Sequence, residues 1–467
     1  MFKKLPTSWH RLATLADWHW LLSGWLKAAL DLPRCDSHGR KADSGSRPSP
    51  LHSRSRKSCM SHVVIVGTGI VGLSTARALL SDGHAVTLVD RDPSGDKASF
   101  GNAGGLGVTE IVPASVPGLV WKVPGWLIDP LGPLSLHPGH FPKLVPWLLR
   151  FMKSGSHREM LRLTSALAAL TAPVYDDFLP LLDELSLSHE LHRVGALWVY
   201  ETEAGFAADA ADRKLRRLHA GIFEEMDGDE ARRLEPALGK KVVRAVLTPQ
   251  WSHFSDPKRV VDRLREHVAS RSATIVQGEA VAVAGTALEL SDGTKLPFER
   301  LVIAAGAWSA RLAATIGDRV LLESERGYNI TIPDPGVSLT REVIFAERKF
   351  VATPMDMGLR IGGATEFAGL DAPANYARSD ALAALARPYL PGLKTEGGSR
   401  WMGHRPTTPD SLPVIGPSPN RPDIIHAYGH SHIGLTLGPT TGRLVADLIA
   451  DRTASIDLAP FSASRFS

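Results

Sequence analysis

HVVIVGTGIVGLSTARALLSDGHAVTLVDR, residues 62–91, is the stretch that decides the fold of this chain. A run of β-branched apolar residues predicts a strand, a helical pattern follows a set of glycines, and a second apolar run predicts another strand that ends on an acid. Strand, glycine turn, helix, strand and acid within about 30 residues are typical of a dinucleotide-binding βαβ unit, whereas the glycine triplet alone would be a weak signal. The residues that carry the pattern are Gly67, Gly69, Gly72 and Asp90.

Each of these residues has a physical task in such a unit. Gly67 permits the tight turn, Gly69 lets a pyrophosphate approach the backbone, and Gly72 lets the helix pack close to the strand. The start of the helix would offer free N–H groups and a positive dipole end to the phosphates, and Asp90 would accept hydrogen bonds from a ribose. The residues at that helix start are Ile70 and Val71. The alternative is an ordinary βαβ unit whose glycine-rich turn binds no nucleotide.

The composition fits a globular enzyme of two to three domains rather than a disordered chain, because 43% of the 467 residues are hydrophobic. Residues 1–60 hold 11 Lys and Arg against 4 Asp and Glu, and the remainder holds 42 against 45. The slightly acidic remainder does not favour a nucleic-acid partner. Both cysteines, Cys35 and Cys59, precede Met60, so the rest of the sequence offers no disulfide and no thiolate metal site. The scattered histidines predict no metal centre either.

The first 59 residues are rich in Arg, Ser and Trp and contain no uninterrupted run of 18 apolar residues. They fit a targeting peptide, a peripheral membrane arm, or upstream sequence translated from a misassigned start. We favour the third interpretation, because Met60 stands just before the first predicted strand. On any of the three, the segment 1–59 is expected to be a leader without a fixed structure.

The rest of the chain alternates between two kinds of pattern. Segments with buried, parallel-type strands and helices flank segments of short alternating strands, which predicts one dinucleotide domain built from several stretches and a second domain inserted between them. The helices are predicted over 144–152, 158–187, 204–220, 258–270 and 378–389. A hairpin is expected over 281–296 and an antiparallel sheet over 321–369. The Pro- and Trp-rich stretch 111–147 is predicted to be an irregular covering segment.

Seven motifs in this order resemble the D-amino-acid oxidase superfamily of FAD enzymes, most closely its bacterial D-amino acid dehydrogenase branch. They are VIVGTGIVGLSTARALL (64–80), SFGNAGGL (99–106), VIAAGAWS (302–309), ERGYNIT (325–331), GLRIGGATEFAG (358–369), WMGHRPTTPDSLPVIG (401–416) and GHSHIGLTLGPTTGRLVADLI (429–449). The resemblance implies an α/β fold: a glutathione-reductase-type, Rossmann-like FAD domain with an inserted α+β substrate domain that contains an antiparallel sheet. On this basis the FAD domain is expected at 60–110, 155–190, 254–318 and 401–467, and the substrate domain at 111–154, 191–253 and 319–400.

FAD is favoured over NAD because FAD lies extended in this fold and needs contacts far along the chain. Such contacts are available in a strand near Val281, in a second glycine turn, and in a glycine-rich turn at 434–439 that precedes a helix expected over 440–449. The N-terminus of that helix would stabilise negative charge on the reduced flavin. The further residues expected at the cofactor are Arg91, Ser99, Asn102, Ala103, Gly104, Gly105, Ala305, Gly306, Gly434, Leu435 and Thr436.

Arg405 is the expected anchor for a substrate carboxylate, since a guanidinium pairs with a carboxylate through two hydrogen bonds. The alternative is a structural ion pair with Asp410. Tyr328 would donate its hydroxyl to the carboxylate or shape the pocket, unless it is a half-buried tyrosine of the sheet. His430 or its neighbour His432 would tune amine protonation, although a structural hydrogen bond is the more common use of such a residue.

The resemblance implies oxidative deamination of D-amino acids to 2-oxo acids and ammonia, by hydride transfer from Cα to flavin N5. Alternatives are an imino-acid dehydrogenase or oxidase acting on hydroxy-D-proline, proline, sarcosine or glycine, and a non-catalytic FAD-binding subunit. The resembling dehydrogenases pass electrons to a quinone or the respiratory chain. We therefore expect a cytoplasmic location, with binding to the inner face of the membrane as a further option. The stretch containing Trp121, Trp126 and Trp147 would contact the membrane or, as we favour, pack between domains.

Overall fold

A computed structural model of the chain describes residues 60–95, 97–118, 123 and 132–466. The leader predicted at 1–59 lies outside the described residues, as do Trp121 and Trp126. The residues from Met60 onward that the structure describes belong to one compact unit. No helix in this described part is long and apolar enough to cross a membrane.

The strands of the described residues fall into two large and two small sheets. They are β1 His62–Val66, β2 Ala85–Asp90, β3 Gly105–Leu106, β4 Leu134–Leu136, β5 Leu191–His192, β6 Ala196–Tyr200, β7 Glu224–Asp227, β8 Arg244–Thr248, β9 Ser252–Phe254, β10 Thr274–Gln277, β11 Ala280–Ala284, β12 Ala287–Leu290, β13 Lys295–Pro297, β14 Arg300–Ile303, β15 Glu323–Ile332, β16 Glu342–Phe345, β17 Phe350–Met355, β18 Gly358–Phe367, β19 Ser399–Thr407, β20 Val414–Pro417 and β21 Ile424–Tyr428.

The α-helices cover the faces of these sheets. They are α1 Ile70–Ser81, α2 Phe141–Ser154, α3 His157–Thr171, α4 Val174–Glu184, α5 Glu203–Ala208, α6 Ala210–Arg217, α7 Gly228–Leu234, α8 Pro257–Ser270, α9 Ser309–Ala314, α10 Ala377–Ala386 and α11 Gly434–Ile449.

The first large sheet has six strands in the order β10-β2-β1-β14-β21-β20. Its first five strands are parallel, and β20 runs antiparallel to β21. The buried apolar run of β1 therefore lies between β2 and β14, as expected for strands covered on both faces. Because parallel strands end at one edge, the glycine turn after β1 and the turn after β14 come together there.

Helices α1 and α11 pack on this sheet at unusually close range, and glycines permit it. A methyl group added to Gly72 would lie 2.0 Å from the carbonyl oxygen of Gly67, so the predicted role of Gly72 in close packing matches the geometry. Where α11 crosses α1, a methyl group on Gly442 would lie 2.5 Å from the carbonyl carbon of Ser74. Both helices thus present their N-termini at the same edge of the sheet.

The second large sheet has nine strands, eight of them in the order β19-β15-β18-β17-β16-β6-β8-β7, with β4 paired to β18. Most neighbours are antiparallel as predicted, but the β16–β6 and β18–β4 pairs are parallel. Strand β19 belongs to this sheet although its sequence falls mainly in a segment expected in the FAD domain. The domain boundaries drawn from the sequence remain a prediction.

Three predicted elements differ in detail from the structure. The helix expected over 158–187 is two helices, because Pro173 lies between α3 and α4 and cannot continue the hydrogen bonding of α3. The helix expected over 204–220 is split into α5 and α6 at Asp209. The hairpin expected over 281–296 is three strands, since Gly285, with φ +58°, allows an additional turn between β11 and β12.

The end of the Trp-rich stretch is helical, because α2 covers the helix expected over 144–152 and carries Trp147. Its indole is 5% exposed, stacks on Phe151 and contacts Phe367. Its Nε1 donates a hydrogen bond to the carbonyl oxygen of Thr407 at 3.0 Å. Packing against the nine-stranded sheet, rather than membrane contact, is therefore the role of Trp147.

Candidate active site

A cavity of about 1130 Å³ lies where the turns of the six-stranded sheet meet strands of the nine-stranded sheet. All but one of the residues predicted to contact the cofactor line it, and so do the three predicted catalytic residues. The lining includes Gly67, Gly69, Ile70, Val71, Asp90, Arg91, Ser99, Asn102, Ala103, Gly104, Gly105, Val281, Ala305, Gly306, Tyr328, Arg405, His430, Gly434, Leu435 and Thr436. Gly72 instead packs against Gly67 behind the turn.

The glycine turn after β1 has the form that a phosphate group needs. Gly67 has φ +112°, and a methyl group on it would lie 2.4 Å from the carbonyl oxygen of Ala304, so no larger residue fits. Helix α1 starts next to this turn with Gly69 as its N-cap, which has no side chain to cover the first N–H groups. Ser99 Oγ accepts a hydrogen bond from Ile70 N at 3.1 Å. The remaining positive end of α1 faces the cavity, where it favours an anion.

Asp90 is at the end of β2 as predicted, and its carboxylate already has protein partners. Its Oδ2 accepts from Thr68 N at 2.8 Å and from Thr68 Oγ1 at 3.0 Å. Its Oδ1 accepts from Asp92 N at 2.9 Å and from Lys97 Nζ at 3.1 Å. These four contacts match the acceptor capacity of a carboxylate, so a ribose would have to replace one of them.

The loop between β2 and β3 is held in shape by its own side chains. Asn102 Nδ2 donates to the carbonyl oxygen of Ser99 at 2.8 Å, and Asn102 Oδ1 accepts from Gly104 N at 2.8 Å. Gly104 has φ +77°, which a residue with a side chain rarely adopts. Arg360 Nη1 donates to the carbonyl oxygen of Asn102 at 2.7 Å. Within the part of this loop at 101–105 that lines the cavity, no side chain is larger than that of Asn102.

A second turn borders the cavity after β14, where Gly306 has φ +56° and a methyl group on it would meet no atom within 4 Å. The guanidinium of Arg91 lies over the Trp308 ring, 3.8 Å from its centroid, and forms a cation–π contact next to this turn. Val281, on β11, is 47% exposed at the same border. An apolar group at this end of the cavity would find flat, partly open surfaces.

Helix α11 begins at Gly434, six residues earlier than predicted, with Pro439 inside it. Its N-cap, Ile433, has no side-chain hydrogen bond to the helix, so the N-terminal dipole faces the cavity uncapped. Thr436 Oγ1 accepts a hydrogen bond from Gly107 N at 3.2 Å, which joins α11 to the segment after β3. The segment predicted as a glycine-rich turn is therefore the helix end itself.

Arg405 lies on β19 beside Glu325 of β15. Its Nη1 is 3.0 Å from Glu325 Oε1, and it also donates to the carbonyl oxygen of Ala364 at 3.2 Å. The alternative pairing with Asp410 is not what the structure shows, because Asp410 pairs with Arg465. About a quarter of the Arg405 side chain remains exposed to the cavity. Arg405 can thus meet a carboxylate while Glu325 holds it in place.

Glu325 is ionised in spite of its position. Burial opposes its ionisation, but the positive charge of Arg405, with His432 and the hydroxyls of Thr365 and Thr407, holds the pKa of Glu325 below its ordinary value. Thr365 Oγ1 donates to Oε1 at 2.9 Å and Thr407 Oγ1 donates to Oε2 at 3.1 Å. His432, which lines the cavity, faces the same carboxylate.

Tyr328 is 1% exposed, and its hydroxyl donates to the carboxylate of Glu366 and accepts from Asn375 N at 3.1 Å. Burial, reinforced by the hydrogen bond to Glu366, raises the pKa of Tyr328 to about 12. In this arrangement the hydroxyl is not free to donate to a substrate carboxylate. Tyr328 lines the cavity wall, and its second predicted role, shaping the pocket, stays a prediction.

His430 is 2% exposed, and its Nε2 lies 2.9 Å from Thr441 Oγ1 of α11. Burial lowers the pKa of His430 to about 3, so the ring is neutral at physiological pH. His404 Nδ1 is 2.7 Å from Ser324 Oγ, and burial with the positive charges of Arg326 and Arg91 lowers its pKa to about 4. Neither ring carries a charge that would titrate near pH 7.

A family model described as DAO, FAD dependent oxidoreductase, matches residues 62–448. The chain belongs to this FAD-dependent oxidoreductase family. It is 35% identical over 423 residues to a protein named D-amino-acid oxidase from Bradyrhizobium diazoefficiens, which covers 87% of this chain and 99% of that protein. It is 31% identical over 433 residues to D-amino acid dehydrogenase 2 from Ralstonia nicotianae, with 86% and 100% covered. The crystal structure of glycine oxidase from Geobacillus kaustophilus matches with a TM-score of 0.67 at 25% identity, over 87% of this chain and 99% of that one.

This FAD-dependent oxidoreductase therefore has the family, the α/β fold class and the cofactor that its sequence predicted. The observed site fits FAD, because two helix N-termini whose N-cap residues make no side-chain hydrogen bond, and a turn that accepts only glycine, border one large cavity. The turn at Gly67 and the start of α1 would hold the pyrophosphate, and the start of α11 would face the flavin.

The sequence analysis did not predict several residues that belong to the site of this oxidoreductase. They are Lys97, Trp308, Glu325, Glu342 and Trp401, all near or in the cavity. Glu325 stands in the motif ERGYNIT, and its place opposite Arg405 could have been suspected from the expected sheet. Trp308 and Trp401 also stand in quoted motifs, VIAAGAWS and WMGHRPTTPDSLPVIG. For Lys97 and Glu342 no local signal exists, because a lone lysine or acid has many roles in a fold.

Proposed function

We propose that this FAD-dependent oxidoreductase oxidises D-amino acids to 2-oxo acids and ammonia. The observation that carries the proposal is the position of Arg405, whose guanidinium lines the same cavity as the glycine turn after β1 and the start of α11. Two relatives that match nearly their whole lengths are named D-amino-acid oxidase and D-amino acid dehydrogenase 2. A carboxylate anchor next to a flavin site would have no use in a non-catalytic FAD-binding subunit.

In this proposal the chain's own residues bind and orient the substrate. Arg405 holds the α-carboxylate, and the wall that includes Tyr328 limits where the α-carbon can lie. When bound, FAD would supply the two-electron acceptor. The amino acid would lose a hydride from Cα and a proton from the amine, and would so become an imine. The neutral rings of His430 and His404 place no positive charge next to that amine. Water then hydrolyses the imine to the 2-oxo acid and ammonia.

A second candidate substrate class is glycine or a secondary amine acid such as sarcosine or proline. The match to the glycine oxidase of Geobacillus kaustophilus favours it. Such substrates undergo the same two-electron oxidation but have a small or cyclic side chain.

The experiment that tests the proposal is anaerobic mixing of the purified holoenzyme with D-alanine, D-proline, hydroxy-D-proline, sarcosine, glycine and the matching L-amino acids. Loss of the oxidised flavin absorbance with D-alanine, and not with L-alanine, is the expected result. Bleaching by sarcosine or glycine alone would select the second class. Bleaching by L-amino acids alone, or by none of these compounds, would contradict the proposal.

We also propose a quinone or another member of the respiratory chain as the electron acceptor, and a cytoplasmic location at the inner face of the membrane. The support is the name D-amino acid dehydrogenase among the relatives. Turnover with a soluble quinone under anaerobic conditions, at a rate well above that with oxygen, would support this acceptor. Equal or faster turnover with oxygen as the sole acceptor would contradict it.

A further inference from the structure

A part of the cavity is lined by acids and indole rings, and we name it the acidic lobe. Its members are Glu110, Trp198, Asp212, Trp251 and Glu342, all of which line the cavity. The segment after β3 joins them, since a methyl group on Gly105 would lie 2.3 Å from Glu342 Oε2 and one on Gly107 would lie 3.1 Å from the Trp251 ring. The acidic lobe thus adjoins the loop predicted to contact the cofactor.

Glu342 is the unusual member of the acidic lobe. It is 4% exposed, it starts the fully buried strand β16, and its Oε2 has no hydrogen-bond partner among the described residues. Burial, with repulsion from Glu110, raises the pKa of Glu342 to about 8. A buried acceptor without a donor destabilises a fold by about 1–3 kcal/mol, so a carboxyl group in this state indicates a ligand that supplies the donor.

The charges of the acidic lobe are unbalanced. Glu110 and Asp212 share Arg216, which donates to both Glu110 oxygens at 3.1 Å and lies 3.0 Å from Asp212 Oδ2. Two carboxylates therefore share one guanidinium, and no ion pair of Glu342 is seen among the described residues. Lys349, another cation of the cavity lining, follows the opposite end of β16. An added positive charge next to Glu342 would be stabilised there.

The indole rings of the acidic lobe suit the same kind of group. Trp198 and Trp251 meet edge to face with centroids 5.8 Å apart. Trp251 is fixed in place because its Nε1 donates to Thr109 Oγ1 at 2.7 Å. A carboxylate beside fixed aromatic rings is a common arrangement for binding an ammonium or guanidinium group.

We propose that the acidic lobe binds the positively charged end of the substrate's side chain, with Glu342 as its direct partner. The enzyme would then prefer basic D-amino acids, such as D-lysine, D-ornithine and D-arginine, over neutral ones. This inference rests on the proposed function, because Arg405 must hold the carboxylate at the other end of the same substrate. The side chain takes no part in the oxidation, so the preference is a matter of binding alone.

The test compares D-lysine with D-norleucine, whose side chain has the same four carbons and no ammonium group. For the wild-type holoenzyme, kcat/KM for D-lysine should exceed that for D-norleucine by about tenfold or more. Glu342→Gln should remove most of this ratio by lowering kcat/KM for D-lysine only. The control Glu289→Gln removes an acid of β12 that does not line the cavity, and it should leave the ratio unchanged.

The wild-type comparison does not depend on any variant folding. Equal kcat/KM values for D-lysine and D-norleucine would overturn the acidic-lobe proposal and leave the proposed function intact, since both amino acids would still reduce the flavin. A Glu342→Gln enzyme with normal flavin content that loses the same factor on both substrates would also overturn it. If no D-amino acid reduces the flavin, the proposed function itself fails.

Discussion

Arg405 Nη1 and Glu325 Oε1 lie 3.0 Å apart, so the residue expected to anchor the substrate already has an anionic partner inside the cavity. Two adjacent strands create the pair, because Glu325 on β15 and Arg405 on β19 are opposite each other in the antiparallel register. A substrate carboxylate must therefore share Arg405 with Glu325. We therefore expect different effects from replacing Arg405 and from replacing Glu325.

Replacing Arg405 should affect catalysis more than folding. Arg405→Leu should lower kcat/KM for D-alanine by about 100-fold, because it removes a charge-assisted pair with the substrate carboxylate, and Arg405→Lys should retain part of the activity. The measurement is steady-state kinetics with the flavin content determined from the absorbance. Arg311→Leu is a matched control, since Arg311 also lines the cavity but is 58% exposed and paired with Asp371. Normal kcat/KM in Arg405→Leu would contradict the anchoring role.

Glu325→Gln should strengthen the binding of a carboxylate. The substitution removes a negative charge beside Arg405 but keeps an acceptor for Nη1, and the hydroxyl of Thr407 can accept from the new amide. We expect the dissociation constant of a simple monocarboxylate inhibitor, measured by titration of the flavin spectrum, to fall severalfold. An unchanged or larger dissociation constant, in a variant with normal flavin content, would show that Glu325 matters for orientation rather than charge.

Gly72→Ala should abolish flavin binding or folding. Its methyl group would lie 2.0 Å from the carbonyl oxygen of Gly67, so α1 would have to move away from the glycine turn. Such a shift destabilises a fold by at least about 1–3 kcal/mol and displaces the helix N-terminus. Thermal denaturation and the flavin-to-protein ratio measure the two effects. Gly83→Ala is the control, because Gly83 has φ +86° but a methyl group on it would meet no atom within 4 Å. This variant should be less stable than the wild type but should keep its flavin.

Glu342 should make the stability of the ligand-free site depend on pH. Its pKa is about 8 in the folded protein, against an ordinary value of 4.5, so the folded state keeps a proton that the unfolded state loses in this range. The contribution of Glu342 to stability therefore falls as the pH rises from about 4.5 to about 8. In thermal denaturation without substrate, the melting temperature of Glu342→Gln should rise relative to that of the wild type between pH 5 and pH 9. The melting temperature of Glu289→Gln should show no such relative rise. If the melting temperatures of all three proteins change with pH in parallel, the predicted contribution of Glu342 is wrong.

The nucleotide-binding half of the site could be predicted because its signals are local. The order of strand, glycines, helix and acid places Gly67, Gly69 and Asp90 around one turn whatever the rest of the chain does. Likewise, glycines before the last helix mark its N-terminus, although its start was placed six residues too late. The prediction treated Pro439 as the end of a turn, while the structure has it inside α11, where proline interrupts only a hydrogen bond near the helix start.

The substrate half could be predicted only in part. Arg405 was identified from the Gly-His-Arg-Pro sequence as the carboxylate anchor, and the alternative was a structural ion pair with Asp410, five residues along the chain. In the structure Asp410 pairs with Arg465 and Glu325 pairs with Arg405, because strand register, not nearness in sequence, sets which side chains meet. In the same way the hydroxyl of Tyr328 is engaged by Glu366, which lies on the neighbouring strand β18.

The amino-acid sequence by itself thus determined a dinucleotide fold and an FAD family, since both depend on backbone geometry that short spacings of glycine and apolar residues dictate. Only the tertiary structure decided that Arg405 pairs with Glu325 and that Glu342 Oε2, beside Gly105, has no hydrogen-bond partner among the described residues. These facts depend on strands more than 70 residues apart in sequence, and the free energy of a buried charge is set by whichever groups those strands bring next to it.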